Sequence, residues 1–173
     1  MIDERHSFVL IRDLEEYYLK IKEKVNVEVF YKVLDRCLFC DTQNCLTKGE
    51  WCILPHEASA MTGRDIITSS VRQSIIAEES IEKWWRYIDR FDKDCSITKG
   101  FAECSEEIMK DLKMDSVKIN AKTNEQIKLA VGGNWSILRG WLELASKGNI
   151  IFYPDVSINN INYQGELTAP NIF

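Results

Sequence analysis

Val25-Asn26-Val27-Glu28-Val29-Phe30-Tyr31-Lys32-Val33-Leu34-Asp35-Arg36-Cys37-Leu38-Phe39-Cys40 is the stretch on which the fold turns. Residues 25–31 alternate in polarity and are rich in β-branched and aromatic side chains, which suit a pleated, half-buried surface, so they are predicted to form a strand. A Cys-x-x-Cys pair follows within a few residues, and from there sulfur chemistry governs the chain. Upstream, Leu10, Ile11, Leu14, Tyr17, Tyr18 and Ile21 recur at helical spacing among charges, which predicts an amphipathic helix over 8–22.

Downstream, residues 37–60 hold four cysteines with Gly49 and Pro55 and keep no sustained period, the pattern of an irregular, stapled excursion. Helices then take over. Thr62-Gly63-Arg64-Asp65 opens an apolar series through Ile66, Ile67, Val71 and Ile75, and a second series runs through Ile81, Trp84, Trp85, Ile88 and Phe91. A third helix is expected at about 104–113, with Glu106 and Glu107 at its positive end. Two more follow at 123–131 and 136–146, separated by Gly132-Gly133 and ended by Gly148. The end of the chain returns to strand pattern at 149–152 and 156–158, and Asn159-Asn160 turns it into Ile161-Asn162-Tyr163 as a hairpin. A strand, a run of helices, then a strand and hairpin suggest a small sheet closed around a large helical insertion at about 62–147, within one domain over 1–173.

Length and composition support a globular body. With 173 residues, 45% of them hydrophobic, the chain can bury a core, which excludes intrinsic disorder. Twenty-two basic against twenty-seven acidic residues give a net charge of −5, the wrong sign for affinity resting on phosphate neutralisation. The apolar stretches fall far short of the roughly 18 to 20 residues of a membrane helix, so no membrane contact is expected of this segment.

The six cysteines, at 37, 40, 45, 52, 95 and 104, are even in number and clustered, which favours disulfides in an oxidising compartment. The N-terminus, Met-Ile-Asp-Glu-Arg-His, carries no basic region feeding an apolar run. The two observations agree if the chain is a segment of a longer secreted or membrane protein. Asn134-Trp135-Ser136 is a glycosylation sequon that suits such a compartment and makes Asn134 the candidate acceptor. Cys95 and Cys104 bracket a short turn between two helices and are expected to pair, which should contribute about 3 kcal/mol on the loop-entropy estimate. Cys37, Cys40, Cys45 and Cys52 are expected to pair among themselves, with three connectivities open. A zinc site built from those four thiolates is the competing reading, but the wide spacing from Cys45 to Cys52 breaks the usual ligand pattern, so no metal or cofactor is assigned.

Two features sketch a thioredoxin-type fold. Cys37-Leu38-Phe39-Cys40 follows a strand, and Tyr153-Pro154 precedes one near the other end, where such folds carry a cis-proline close to the segment after the first strand. A redox-active Cys37 and Cys40 would need a helix N-terminus behind them to lower a thiol pKa. The residues after Cys40 offer none, and Asp35 and Asp41 disfavour a thiolate. Trp84, Ile88 and Phe91 share one helical face and read as core, which leaves Trp85 or Tyr87 as a surface anchor. His6 and His56, the two histidines, have no nucleophile arranged beside them, and the acidic pairs Glu78-Glu79 and Glu106-Glu107 read as solvated faces near helix starts. No glycine-rich phosphate loop is present.

Five ordered blocks resemble the vacuolar sorting receptor family, in its central luminal region between the protease-associated domain and the EGF-like repeats. Cys45, with Lys48-Gly49-Glu50-Trp51-Cys52, resembles a cysteine-bounded stretch of that region. Gly63-Arg64-Asp65-Ile66-Ile67 with Val71-Arg72-Gln73 is similar to its Gly-Lys-Asp-Val-Val…Leu-Arg-Gln helix. Trp84-Trp85-x-Tyr87-Ile88-x-x-Phe91-x-x-x-Cys95 resembles its Trp-Trp-x-Tyr-Val block, and Phe101-Ala102-Glu103-Cys104-Ser105-Glu106-Glu107-Ile108 with Lys118-Ile119 its next helix. Tyr153-Pro154-x-Val156-x-Ile158-Asn159-Asn160 with Tyr163-Gln164-Gly165-Glu166-Leu167 is similar to its Pro-containing Asn-Asn signature. Two family cysteines are absent together, at Ser74 and in the region Asn120–Lys122, and 122–148 departs from the family's polar, glycine-rich character.

The resemblance implies a non-catalytic luminal module of a type I membrane receptor that binds cargo proteins or peptides, alongside the receptor's other domains, in the secretory and endosomal pathway. The cargo-contacting residues are not assigned. A thioredoxin-like scaffold suits extended-peptide recognition through its cis-proline strand. Two other readings stand beside this one: a thiol–disulfide oxidoreductase using Cys37 and Cys40, and a structural subunit of an extracellular surface assembly.

Overall fold

The computed structural model describes residues 4–54, 61–95, 100–148, 157–158, 161–163 and 172. It divides into two compact units, Val29–Leu142 and, from the two ends of the chain, Met1–Glu28 with Glu143–Phe173. In the second of these lies α1, Glu4–Ile21, which buries Leu10 and Tyr18 as its periodicity demands and carries a Glu16–Lys20 pair one turn apart on its exposed side. The same unit holds a short antiparallel hairpin of β3, Ser157–Ile158, and β4, Ile161–Asn162, with Ile158 opposite Ile161. The strand expected at 149–152, the turn residues Asn159 and Asn160, and Tyr153-Pro154 lie outside the described residues, as does His56. His6 falls within α1.

Most of the core belongs to the other unit. β1, Leu34–Arg36, pairs antiparallel with β2, Glu50–Cys52, in the register Leu34 to Cys52 and Arg36 to Glu50. The strand therefore begins at Leu34, after the stretch 25–31 that the alternation favoured. That earlier stretch makes its polar contacts elsewhere. The Ser74 hydroxyl donates to the Val29 carbonyl at 3.2 Å, the Tyr31 hydroxyl donates to Gln73 Oε1 at 2.7 Å, and the Tyr31 ring lies 5.5 Å from that of Trp141. Side chains of a helix, rather than a neighbouring strand, anchor this segment.

Five helices follow: α2, Gly63–Glu79; α3, Ile81–Asp94; α4, Phe101–Asp111; α5, Ser116–Val131; and α6, Ile137–Lys147. Three of the starts, those of α2, α3 and α5, are fixed by side-chain caps, whereas Gly100 ahead of α4 offers no side chain for the purpose. Thr62 and Asp65 form a reciprocal capping box on α2, Ser80 Oγ accepts from Lys83 N–H on α3, and Asp115 Oδ1 accepts from Lys118 N–H on α5. Gly132 and Gly133 end α5, Gly133 at φ 71°, and Gln126 of α5 then accepts the Ile137 N–H that opens α6, at 2.8 Å. α4 begins at Phe101, about a turn before its apolar series suggests, and α5 begins at Ser116, because Asp115 caps it ahead of an otherwise polar first half.

α2 is the centre of this unit, packed by α3, α4 and α5 and by the residues around β2. Ile67, Val71, Ile75 and Ile76 are buried, and so are Ser69, Ser70, Arg72, Gln73 and Ser74, so the helix is enclosed on nearly every side and its polar residues must find partners within. Gln73 accepts from Tyr31 and donates to Ser69 Oγ at 3.2 Å, while Arg72 Nε donates to Asn120 Oδ1 at 3.2 Å, and Asn120 in turn donates to Glu106. α3 buries Trp84, Ile88 and Phe91 as its periodicity predicts. It also buries Trp85 and Tyr87, at 4% and 0% exposure, although the sequence offers one or the other as an exposed anchor. Lying between α2 and α4, α3 has two covered faces. The Tyr87 hydroxyl donates to Ser105 Oγ at 2.8 Å, and burial pushes its pKa up to about 12.

Glu79 closes α2 rather than opening a helix, at an end whose dipole disfavours a carboxylate. Lys118, at 2.6 Å, and Lys122 of α5 hold it, and their hydrogen bonds lower its pKa from 4.5 to about 2. A carboxylate so depressed binds fewer protons folded than unfolded. Its stabilisation is complete above its ordinary titration range and fades as the pH falls towards 2.

Two expectations follow from this packing. Gln73→Leu leaves the Tyr31 hydroxyl without its acceptor and should cost about 1–3 kcal/mol in denaturant unfolding; adding Tyr31→Phe should recover part of that loss, and a cost of only a few tenths would contradict the assignment. Thermal unfolding of wild type and Glu79→Gln should differ at pH 6 and converge as the pH approaches 2, the difference also shrinking in high salt because the network is exposed.

Candidate functional site

The sequence concentrates sulfur between β1 and the start of α2, and the structure pairs all six cysteines: Cys37 with Cys40, Cys45 with Cys52, and Cys95 with Cys104. Cys95 caps the C-terminus of α3 and Cys104 lies in the first turn of α4, so their bond joins two helix ends. The other two bonds lie together. Cys52 in β2 faces Leu34 on one side and, through a single antiparallel bridge, Cys45 on the other. The Sγ atoms of Cys40, Cys45 and Cys52 all lie within 4.8 Å of one another. Thiolates at those positions would form a metal-binding set, but as disulfides they offer no thiolate.

The local chain explains this closeness. Gly49 turns the chain at φ 83°, and its carbonyl accepts from Cys37 N–H at 2.8 Å. Leu46 N–H donates to the Trp51 carbonyl at 3.1 Å, completing a tight loop between Cys45 and Cys52. Trp51 adopts φ 55°, in the left-handed region that a bulky residue rarely enters, and its indole is buried at 3% exposure with the Arg139 guanidinium 5.6 Å from the ring centroid. Burial and the adjacent disulfide hold this strained backbone in place.

α2 clamps the loop from the far side. Asn44 Oδ1 accepts the Gly63 N–H at 2.9 Å, Arg64 donates from Nε to the Cys45 carbonyl at 3.1 Å and from its terminal nitrogen to the Leu46 carbonyl at 3.2 Å, and Ile53 N–H donates to the Asn44 carbonyl. None of Asn44, Gly63 and Arg64 stands out as a site residue on sequence pattern alone. One signal was available: glycine is a poor choice for the first residue of a capped helix unless backbone approaches it closely.

The Cys-x-x-Cys turn points the other way. Leu38 is 90% exposed and Phe39 97%, whereas Cys45 and Cys52 are fully buried. A single three-residue 3₁₀ turn, Thr42–Asn44, follows Cys40, so among the described residues no helix N-terminus stands behind the pair to lower a thiol pKa. Asp35 and Asp41 beside the pair are both exposed. Asn134 is exposed in the turn between α5 and α6, next to the exposed Trp135, while Ser136 of the same sequon is fully buried.

The clamp can be tested directly. A Cβ on Gly63 would fall 2.0 Å from the Ile53 carbonyl oxygen and 2.6 Å from that of Asn44, both backbone atoms that cannot swing aside. Gly63→Ala should therefore destabilise by about 3 kcal/mol in denaturant unfolding, far beyond the small gain that alanine brings to a helix.

The family model for the vacuolar sorting receptor thioredoxin-like domain matches residues 28–173. Among curated proteins the chain is 27% identical over 146 residues to vacuolar-sorting receptor 5 of Arabidopsis thaliana, an alignment covering 74% of this chain and 22% of that protein. It is 24% identical over 142 residues to vacuolar-sorting receptor 2 of the same plant, with the same shares covered. The chain thus spans 22% of the length of these relatives. No solved structure matches it. The capped start of α2, the tryptophan pair of α3 and the Cys45–Cys52 loop all lie within the matched span, and the chain belongs to the vacuolar sorting receptor thioredoxin-like domain family.

Proposed function

We propose that this chain is a non-catalytic, luminal protein-binding module of a sorting-receptor-like type I membrane protein, in which residues 1–173 act as one thioredoxin-like domain with α2–α6 as its helical insertion. Its partners in this reading are cargo proteins or peptides and the receptor's remaining domains, its compartment is the secretory and endosomal lumen, and Asn134 is its glycan acceptor. The observation that carries the binding role is the Cys37–Cys40 turn, which holds Leu38 and Phe39 almost wholly in solvent on a disulfide-closed loop. Two adjacent large apolar side chains at that exposure cost solubility and gain nothing for the core. A pre-ordered apolar tip loses little entropy on meeting a partner. The lack of a helix behind Cys40 among the described residues supports the non-catalytic part of the reading.

A peptide library displayed on phage and panned against the glycosylated chain tests the contact, and an insulin-reduction assay tests the non-catalytic part. The expected result is an enriched peptide class whose affinity falls about tenfold or more in the Leu38→Ser/Phe39→Ser variant, with the unfolding midpoint unchanged. No enrichment, or enrichment indifferent to the substitutions, would overturn the contact. Turnover in an insulin-reduction assay that disappears in Cys37→Ser/Cys40→Ser would overturn the non-catalytic reading in favour of an oxidoreductase.

A further inference from the structure

Of the four sulfurs in the loop, two are partly accessible and two are sealed. Cys37 and Cys40 are half-buried at the turn, whereas Cys45 and Cys52 are at 0% exposure under β1, β2 and the start of α2. A reductant from solvent meets the Cys37–Cys40 bond and is kept from the other. Yet Cys40 Sγ lies within 4.8 Å of both buried sulfurs, in a cluster that does not include Cys37. Disulfides are rearranged by thiolate attack on a neighbouring sulfur, and a nucleophile fixed at that range acts at a far higher effective concentration than one in solution.

We propose that Cys40 is a thiol–disulfide exchange site, through which a dithiol reductant acting on the partly accessible Cys37–Cys40 bond displaces the buried Cys45–Cys52 bond. One thiolate of the reductant attacks Cys37 Sγ, the Cys37–Cys40 bond breaks, and its electron pair leaves on Cys40. The reductant's second thiol then displaces Cys37, which is released as a thiol, and the reductant departs as its own disulfide after giving up two electrons. The Cys40 thiolate attacks one sulfur of Cys45–Cys52, a new bond forms to that sulfur, and the electron pair leaves on the other, which takes up a proton. No further electrons are consumed. The four cysteines end with one disulfide and two thiols, and the staple has moved.

The move has a structural consequence. Cys45–Cys52 braces the loop that Asn44, Gly63 and Arg64 fasten to α2, and it adjoins the strained Trp51. Transferring the bond to Cys40 frees either Cys45 or Cys52 and loosens that brace, so the partly accessible bond becomes the control point for the buried one. The exchange is intramolecular and needs no turnover on other proteins, so it stands or falls independently of cargo binding.

The full chain with Cys37→Ser carries one thiol, initially at Cys40. Acid quenching, alkylation and non-reducing peptide mapping should find about a tenth or more of the label on Cys45 or Cys52, with a new bond from Cys40 to the other. Label confined to Cys40 would overturn the proposal. The companion Cys40→Ser should keep its label on Cys37 and its Cys45–Cys52 bond intact, and exchange from Cys37 would overturn the assignment to Cys40. In case either variant folds poorly, limiting dithiothreitol applied to the unmodified chain provides a second measurement: the first thiols to appear should be Cys37 with Cys45 or Cys52. Opening of Cys37–Cys40 with Cys45–Cys52 left untouched would overturn the exchange.

Discussion

The hydrogen bond from Gly63 N–H to Asn44 Oδ1 joins the two parts of the larger unit that the sequence keeps apart. On one side of it is an irregular loop with little periodic structure to stabilise it, and on the other is α2, the helix around which α3, α4 and α5 pack. The bond forms only because glycine lets the backbone of Ile53 and Asn44 approach to distances that no Cβ would tolerate. Given that approach, Arg64 reaches the Cys45 and Leu46 carbonyls, and these two backbone acceptors are satisfied by a side chain rather than by the β1–β2 ladder. The start of the central helix and the placement of the sulfur cluster are therefore one constraint. A loop that drifted from Gly63 would lose its hydrogen bonds and leave the first turn of α2 open to water.

The features that the sequence makes legible are those fixed by local chemistry. Helical periodicity finds α2 and α3 closely, because Thr62 and Ser80 cap them within a turn of where the apolar series begin, whereas α1 starts at Glu4, four residues ahead of the stretch its apolar spacing marks. The β3–β4 hairpin, the helical stretch after residue 62 and the Cys95–Cys104 staple are legible from composition and spacing, whereas β2 lies inside the stretch 37–60 that reads as irregular. What stays hidden depends on distant partners. The alternation at 25–31 reads as a strand, but Ser74 and Gln73, more than forty residues away, supply its contacts and the ladder starts at Leu34. Trp85 or Tyr87 reads as exposed because a single helical face was assumed to be covered, whereas α4 closes over a second. At the site, the cysteines could be named from the sequence. The Asn44–Gly63–Arg64 clamp could not, since nothing local marks an asparagine as the acceptor for a helix nineteen residues on.

Polar contacts of α2 and α5 also bear on how this body is held. Ser74 is buried and bonded to Val29, and Asn120 accepts from Arg72 and donates to Glu106, so both positions take part in hydrogen-bonded contacts of α2 and α5. A partly buried polar network of this kind is sensitive to the loss of any member, because the group left behind is partly desolvated and has lost its partner. A disulfide would instead act mainly on the unfolded chain. Helix packing in this protein is thus set by native-state complementarity around α2, and covalent bracing is concentrated in the loop and at the α3–α4 join.

That division separates the rigid from the adjustable. The helices carry apolar burial that no change of redox state touches, since Ile67, Val71, Trp84, Ile108 and Met109 hold one another whatever becomes of the cysteines in the loop. The loop carries little apolar burial beyond Trp51 and Leu46 and depends on bonds that a thiol can rearrange. A surface built on such a loop can alter its shape while the scaffold beneath it stays folded, because the energies that fix the two are different in kind. Leu38 and Phe39 sit at the accessible end of that rearrangeable set, so any chemistry that moves the sulfur bonds acts first on the segment presenting the apolar tip.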